Sequence, residues 1–233
     1  MTKWMLTFNL TNLPKRDILG EFSPSFFMDL WKEYKRTLYK TFPDLKLDHV
    51  WADWSGDTNL RAEIWKSPQF IKSRAVDIWS EKSNIYNTIM YPKTGKNLPC
   101  FGMDLMGFFE KKVIIVFDFQ HPVENYLFSV GDKLPKAEGS FRFFEPGNHF
   151  SEHIFVRKCT MSEVNNYLDD FRAYLQVYKD MLESADPQGT DETVYKDFDS
   201  YMKKLDPVGG YLANNFGKER SEQFVNEFLF PYG

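Results

Sequence analysis

The sequence predicts an α+β fold, a three-layer α/β/α sandwich with a central antiparallel sheet. Three observations carry this. Apolar residues follow a helical period near the N-terminus and again after residue 160. Between them, from about 49 to 159, short apolar runs alternate with turn residues. Short connections between successive runs favour an antiparallel meander over helix-crossed parallel strands. Helix, sheet and helices in that order place one sheet between two helical layers.

The first helix is expected between Pro24 and Pro43, with Phe27, Leu30, Trp31, Tyr34 and Leu38 along one face. Residues 1–24 lack periodicity and read as a mobile arm ahead of a single domain over 25–233. Strands are expected at His49–Trp54, Leu60–Trp65, Ser73–Trp79, Leu98–Phe109, Val113–Phe119, Phe141–Phe144 and Ile154–Cys159. Val113–Phe119 is apolar without alternation, which implies burial on both faces. A long helix opens at Met161-Ser162-Glu163, carries Val164, Leu168, Phe171, Leu175, Tyr178 and Leu182 as a core stripe, and stops before Asp186-Pro187. Shorter helices are expected at Val194–Lys204, Val208–Phe216 and Glu219–Phe228.

Composition excludes several function classes. Two cysteines, Cys100 and Cys159, cannot make a disulfide framework or a four-cysteine metal site, although a lone bridge stays open. No apolar run is long enough to span a membrane, and the N-terminus is no secretory signal, so a cytoplasmic protein is expected. A net charge of −4 argues against general nucleic-acid binding. Aromatic residues make up 18% of the chain, enough to fill a core or to wall a site for a large flat ligand.

Glycine-loop nucleotide motifs, the nucleophile elbow and H-E-x-x-H are all missing. His149 and His153 are spaced i,i+4 beside Pro146-Gly147-Asn148, which reads as turn and surface histidines and not as metal ligands. Carboxylates in apolar surroundings are more informative. In a strand, Gly102, Asp104 and Met106 share one face, so Asp104 would stand on a buried surface with room for a ligand above Gly102. A carboxylate there must be paired or protonated. Asp118, between Phe117 and Phe119, is a second case, read as a hydrogen-bonded carboxylate at the sheet rim. Asp206-Pro207 fits a helix N-cap. Arg157 ends an apolar strand and could pair with an acid or clamp a ligand carboxylate.

Through these residues the chain resembles the ferredoxin-dependent bilin reductases. The stretches that carry the likeness include Val50-Trp51-Ala52-Asp53-Trp54, Asn84 to Gly95, and Leu98-Pro99-Cys100-Phe101-Gly102-Met103-Asp104. It continues through Gln120-His121-Pro122, Gly147-Asn148-His149-Phe150-Ser151 and Leu205-Asp206-Pro207, and covers about residues 27 to 232. Within the family the sequence looks most like the four-electron, phycoerythrobilin-forming type of viruses of marine cyanobacteria.

The resemblance implies an open-chain tetrapyrrole between the sheet and the C-terminal helices, with no bound metal or flavin. Reduced [2Fe–2S] ferredoxin would supply single electrons, the protein would supply protons, and bilin radicals would form on the way. Biliverdin IXα would become 15,16-dihydrobiliverdin and then phycoerythrobilin. Asp104 and Asp206 match the family's proton-donating aspartates. Asn87 matches a position under the pyrrole rings that is His in the phycocyanobilin-forming branch. Arg157 is expected to hold one propionate, with Lys218 and Arg220 as candidates for the other. Lys93, Lys96, Lys111, Lys112, Lys203 and Lys204 could form a basic rim for acidic ferredoxin. A monomer in a cyanobacterial host cytoplasm, passing its product to a phycobiliprotein lyase, completes the expectation. A two-electron reductase of the same family and a non-catalytic bilin carrier are the alternatives.

Overall fold

The computed structural model describes residues 29–93, 98–108, 112–128, 130, 133–138, 144–185, 192–205 and 208–233. Among these residues seven strands lie side by side in chain order: β1 (Lys46–Trp54), β2 (Thr58–Lys66), β3 (Phe70–Ser80), β4 (Ser83–Pro92), β5 (Cys100–Phe108), β6 (Lys112–Gln120) and β7 (Phe155–Cys159). Every pairing is antiparallel, and the tight connections from β1 to β6 allow nothing else, whereas β7 follows β6 only after a long excursion.

One face of the sheet is covered by α1 (Lys32–Thr41) and α2 (Leu168–Ser184), the latter entered through a 3₁₀ turn at Met161–Tyr167. Trp31, Tyr34, Leu38, Phe171, Tyr174 and Tyr178 pack there on Met103, Leu105, Ile115 and Phe117. Trp31 Nε1 donates to the Asn84 carbonyl at 2.9 Å, which ties the start of α1 to β4. The other face lies under α3 (Lys196–Leu205), α4 (Gly209–Phe216) and α5 (Lys218–Gln223), with α5 continuing as a π-helix over Phe224–Leu229. The result is the expected three-layer arrangement.

Some expectations change, and others fall outside the described residues. The first helix starts at Lys32, and Phe27 and the arm over 1–24 lie outside the described residues. β4 was not expected as a strand, because Ser83, Asn84, Asn87 and Thr88 interrupt its apolar run. It is nevertheless an interior strand, and its polar groups are satisfied inside the fold. Thr88 Oγ1, for example, donates to the Arg74 carbonyl at 2.6 Å. The strand expected at Phe141–Phe144 falls mostly outside the described residues, and Phe144 itself is not in a strand. Cys100 and Cys159 are both free and belong to opposite faces, so the lone bridge does not form.

Candidate active site

Antiparallel register places cross-strand partners on one face of a sheet, so the residues surrounding Asp104 can be read from the pairings. Asn87, Asp104, Val116 and Val156 form one row across β4–β7. The next row, two residues along, is Ile85, Met106, Ile114 and Lys158. Both rows face the C-terminal helices. Ile85, Asn87, Asp104, Met106 and Ile114 are all half-buried, whereas Val76 and Ile89 beside them are fully buried. These five residues make a partly open apolar floor with an acid at its inner edge.

Burial raises the pKa of Asp104 above the ordinary carboxylate range, with a hydrogen bond from Asn87 and the charge of Arg74 acting the other way. Asn87 Nδ2 donates to Asp104 Oδ1 and, at 3.3 Å, to the Met103 carbonyl. Asn87 Oδ1 accepts from Arg74 Nη1. Arg74, 1% exposed, completes its bonding with Nε on the Leu229 carbonyl at 2.9 Å, and its guanidinium lies 5.2 Å from the Phe230 ring centroid. Lys72 reaches the preceding carbonyl, that of Phe228, at 3.4 Å. A helix end leaves its last carbonyls without intrahelical partners, and here two cations of β3 meet the end of the π-helix.

The space expected above Gly102 is filled. A Cβ on Gly102 would lie 2.5 Å from Cδ of Gln120, whose buried side chain folds over the glycine. Gln120 Oε1 is buried without a hydrogen-bond partner among the described residues. Asp118 is fully buried on the same face and accepts from both the backbone N–H and the hydroxyl of Ser151. Burial nevertheless pushes its pKa up to about 8, against those hydrogen bonds. It pins the loop that carries Ser151, in line with its reading as a hydrogen-bonded carboxylate. The histidines are buried and not on the surface: His149 Nδ1 bonds to the His121 carbonyl at 2.8 Å, and His153 is 5% exposed. Among the described residues no three His, Cys, Asp or Glu side chains are grouped to hold a metal.

The other expected site residues are scattered. Arg157 pairs with Ile115 and therefore stands on the opposite face from Asp104, with its guanidinium 4.3 Å from the Phe155 ring centroid. Its neighbour Lys158 pairs with Ile114 and lies on the Asp104 face. Strand alternation fixes that one of the two must face each way, but only the register says which. Lys218 is exposed and 3.7 Å from Glu222, while Arg220 lies 5.8 Å over the Trp54 ring on the same side as Asp104. Asp206 is outside the described residues. The lysines do not form one rim. Lys93 follows the end of β4, and Lys112 begins β6 beside the start of β4, roughly 30 Å away along the strands. Lys203 donates to the Gly233 carbonyl at 2.7 Å, Lys204 is exposed, and Lys96 and Lys111 lie outside the described residues.

Comparison with known proteins bears on this arrangement. The sequence model of the family described as ferredoxin-dependent bilin reductase matches residues 43–231. The chain belongs to the ferredoxin-dependent bilin reductase family. A 15,16-dihydrobiliverdin:ferredoxin oxidoreductase of Nostoc punctiforme is 30% identical over 191 residues, covering 73% of this chain and 78% of that relative. The protein of the same name from Gloeobacter violaceus is 29% identical over 194 residues, covering 74% and 79%. Tomato phytochromobilin synthase, solved in complex with biliverdin, shares the fold of this bilin reductase. Its TM-score is 0.60 at 18% identity, covering 86% of this chain and 82% of that one. All three strands that supply Arg74, Asn87 and Asp104 lie within the matched segment of the bilin reductase.

Proposed function

We propose that this bilin reductase catalyses the four-electron reduction of biliverdin IXα through 15,16-dihydrobiliverdin to phycoerythrobilin. The observation that carries the reading is the half-open floor with Asp104 at its inner edge. A flat conjugated ligand suits an apolar floor of Ile85, Met106 and Ile114. A carboxylic acid whose pKa is lifted by burial suits proton donation near neutral pH.

Each two-electron stage consumes two electrons and two protons. Ferredoxin delivers the electrons one at a time, so the pigment passes through radical states, and each added electron makes it more basic. Asp104 protonates the central pyrrole system from the sheet side. Asp206 acts in the second stage, at the A-ring diene. Lys158 is better placed than Arg157 to hold a propionate, because it faces the same side as Asp104 at a Cα separation of about 12 Å across two strands and two residues. Arg220, beyond Trp54, is the candidate for the far side of the floor.

A second reading draws on the relatives' names. Proteins called 15,16-dihydrobiliverdin:ferredoxin oxidoreductase favour a two-electron enzyme that starts from or stops at the dihydro pigment. Anaerobic incubation with biliverdin and reduced ferredoxin, followed by chromatography, separates the two. Phycoerythrobilin as end product supports the four-electron route. Arrest at dihydrobiliverdin, or no reduction of biliverdin with full reduction of added dihydrobiliverdin, supports the two-electron enzyme. Binding of both pigments with reduction of neither leaves a carrier.

A further inference from the structure

We propose that Arg74 is a positioning residue: by holding the Asn87 amide in one orientation, it keeps the transferable proton of Asp104 on Oδ2, facing the pigment. The inference rests on the reading of the site as a bilin reductase centre and adds a residue that the sequence did not single out.

The argument is one of donors and acceptors. A guanidinium only donates. Arg74 Nη1 bonds to Asn87, so Asn87 must present its carbonyl oxygen there, and its NH2 is turned toward Met103 and Asp104. An NH2 group also only donates. Asp104 Oδ1 must therefore accept, and a proton on this carboxyl resides on Oδ2. The flipped amide would do the reverse. Its oxygen would accept the carboxyl proton and keep it in an internal bond, away from the floor. Arg74 prevents that flip because it is itself immobile: buried, bonded through Nε to the Leu229 carbonyl, and packed on Phe230. A residue two positions before Val76 on the same face thus acts on Asp104 without touching it. The charged and titratable groups on this side, among the described residues, include Lys72 and Arg74 of β3, Tyr91 of β4, Cys100 of β5, Lys112 and Asp118 of β6, Lys158 of β7, His149 of the preceding loop, and Tyr195, Asp199, Tyr201, Tyr211, Arg220 and Tyr232 of the C-terminal segment. Of these, Arg74 contacts Asn87.

The test is a titration of the full-length protein without pigment. The Asp104 carboxyl is followed by NMR in ¹³C-aspartate-labelled protein and assigned with Asp104→Asn. Arg74→Met is expected to raise the Asp104 midpoint by about one pH unit, from the lost charge and the freed amide together. In an Asn87→Leu background the same substitution should move it by less than half as much, because only the charge effect remains. Equal shifts in the two backgrounds overturn the proposal, as does no shift in either. Should Arg74→Met fail to fold, Arg74→Lys replaces it in both backgrounds. Lysine cannot span Leu229 and Asn87 together, so a smaller shift with the same dependence on Asn87 is expected, and independence from Asn87 again overturns it. Turnover with biliverdin and reduced ferredoxin is read in parallel, and its pH midpoint should follow the NMR midpoint. A wild-type protein that never reduces bilin sinks the functional reading whatever the titration shows. An active wild type with an unmoved Asp104 in the Arg74 variants sinks only the positioning role.

Discussion

Gly102→Ala is expected to destabilise the protein by steric conflict with a single side chain. The new methyl would stand 2.5 Å from Gln120 Cδ and 2.6 Å from both Nε2 and Oε1. Ordinary contacts begin near 3.4 Å, so the carboxamide must retreat by about 1 Å. The side chain is flexible, but only 3% of Gln120 is exposed, and its retreat must displace neighbours. Overpacking of this kind costs about 1–3 kcal/mol. For a chain of this length that corresponds to a fall in Tm of roughly 2–12 °C. Gln120→Ala in the same chain removes both the obstacle and a buried carbonyl that has no partner among the described residues. The double variant should therefore regain most of the loss, a coupling of about 1–3 kcal/mol in a double-mutant cycle. Thermal unfolding followed by circular dichroism measures all four corners. A Gly102→Ala protein melting within 1 °C of wild type, or strictly additive losses, would refute the filled-space reasoning.

Asp118 gives a pH signature. Its folded pKa, about 8, lies above the unfolded carboxylate value of 3.8, so the folded chain binds the extra proton between those limits. Its contribution to stability is therefore greatest in acid, declines as pH rises from about 4 to 8, and is level above that. The slope is at most roughly 1.4 kcal/mol per pH unit. Urea unfolding at pH 5, 6.5 and 8 should show this decline in wild type relative to Asp118→Asn; parallel curves would remove Asp118 as its source. Lys158→Met should weaken biliverdin binding roughly tenfold in an absorbance titration, the loss of one charge-assisted bond, while Arg157→Met changes it less than twofold. The reverse order would place the pigment on the other face. Asp206→Asn should bind biliverdin and accumulate the half-reduced pigment on chromatography, and full conversion to phycoerythrobilin would take Asp206 out of the second stage.

Much of the fold was legible because strand and helix periods differ. Val113–Phe119 announced an interior strand, and Gly102, Asp104 and Met106 announced a shared face. β4 was not legible: its apolar residues are interrupted by side chains whose partners come from the turn before α1, from β3 and from β5, and no local pattern reveals such partners. Arg74 was hidden for a related reason. An arginine in a strand reads as solvent-facing, and only its anchorage to the Leu229 carbonyl, 155 residues away, makes it an interior group. The order of faces at Arg157 and Lys158 needed the register with β6. The i,i+4 histidines misled because turn residues suggested exposure, whereas the loop at 147–153 folds back onto β6 through Asp118 and the His121 carbonyl.

The meander has a consequence for synthesis. Arg74, Asn87 and Asp104 arrive on three successive strands, within the first half of the chain, and pair only with sequence neighbours. The carbonyl that holds Arg74 belongs to residue 229, made 155 residues after the arginine itself. A nascent polypeptide can thus own every polar group around the acid while the arginine remains untethered. Arrival of the C-terminal helical layer, and not formation of the strands, is the event that locks the proton in its working place.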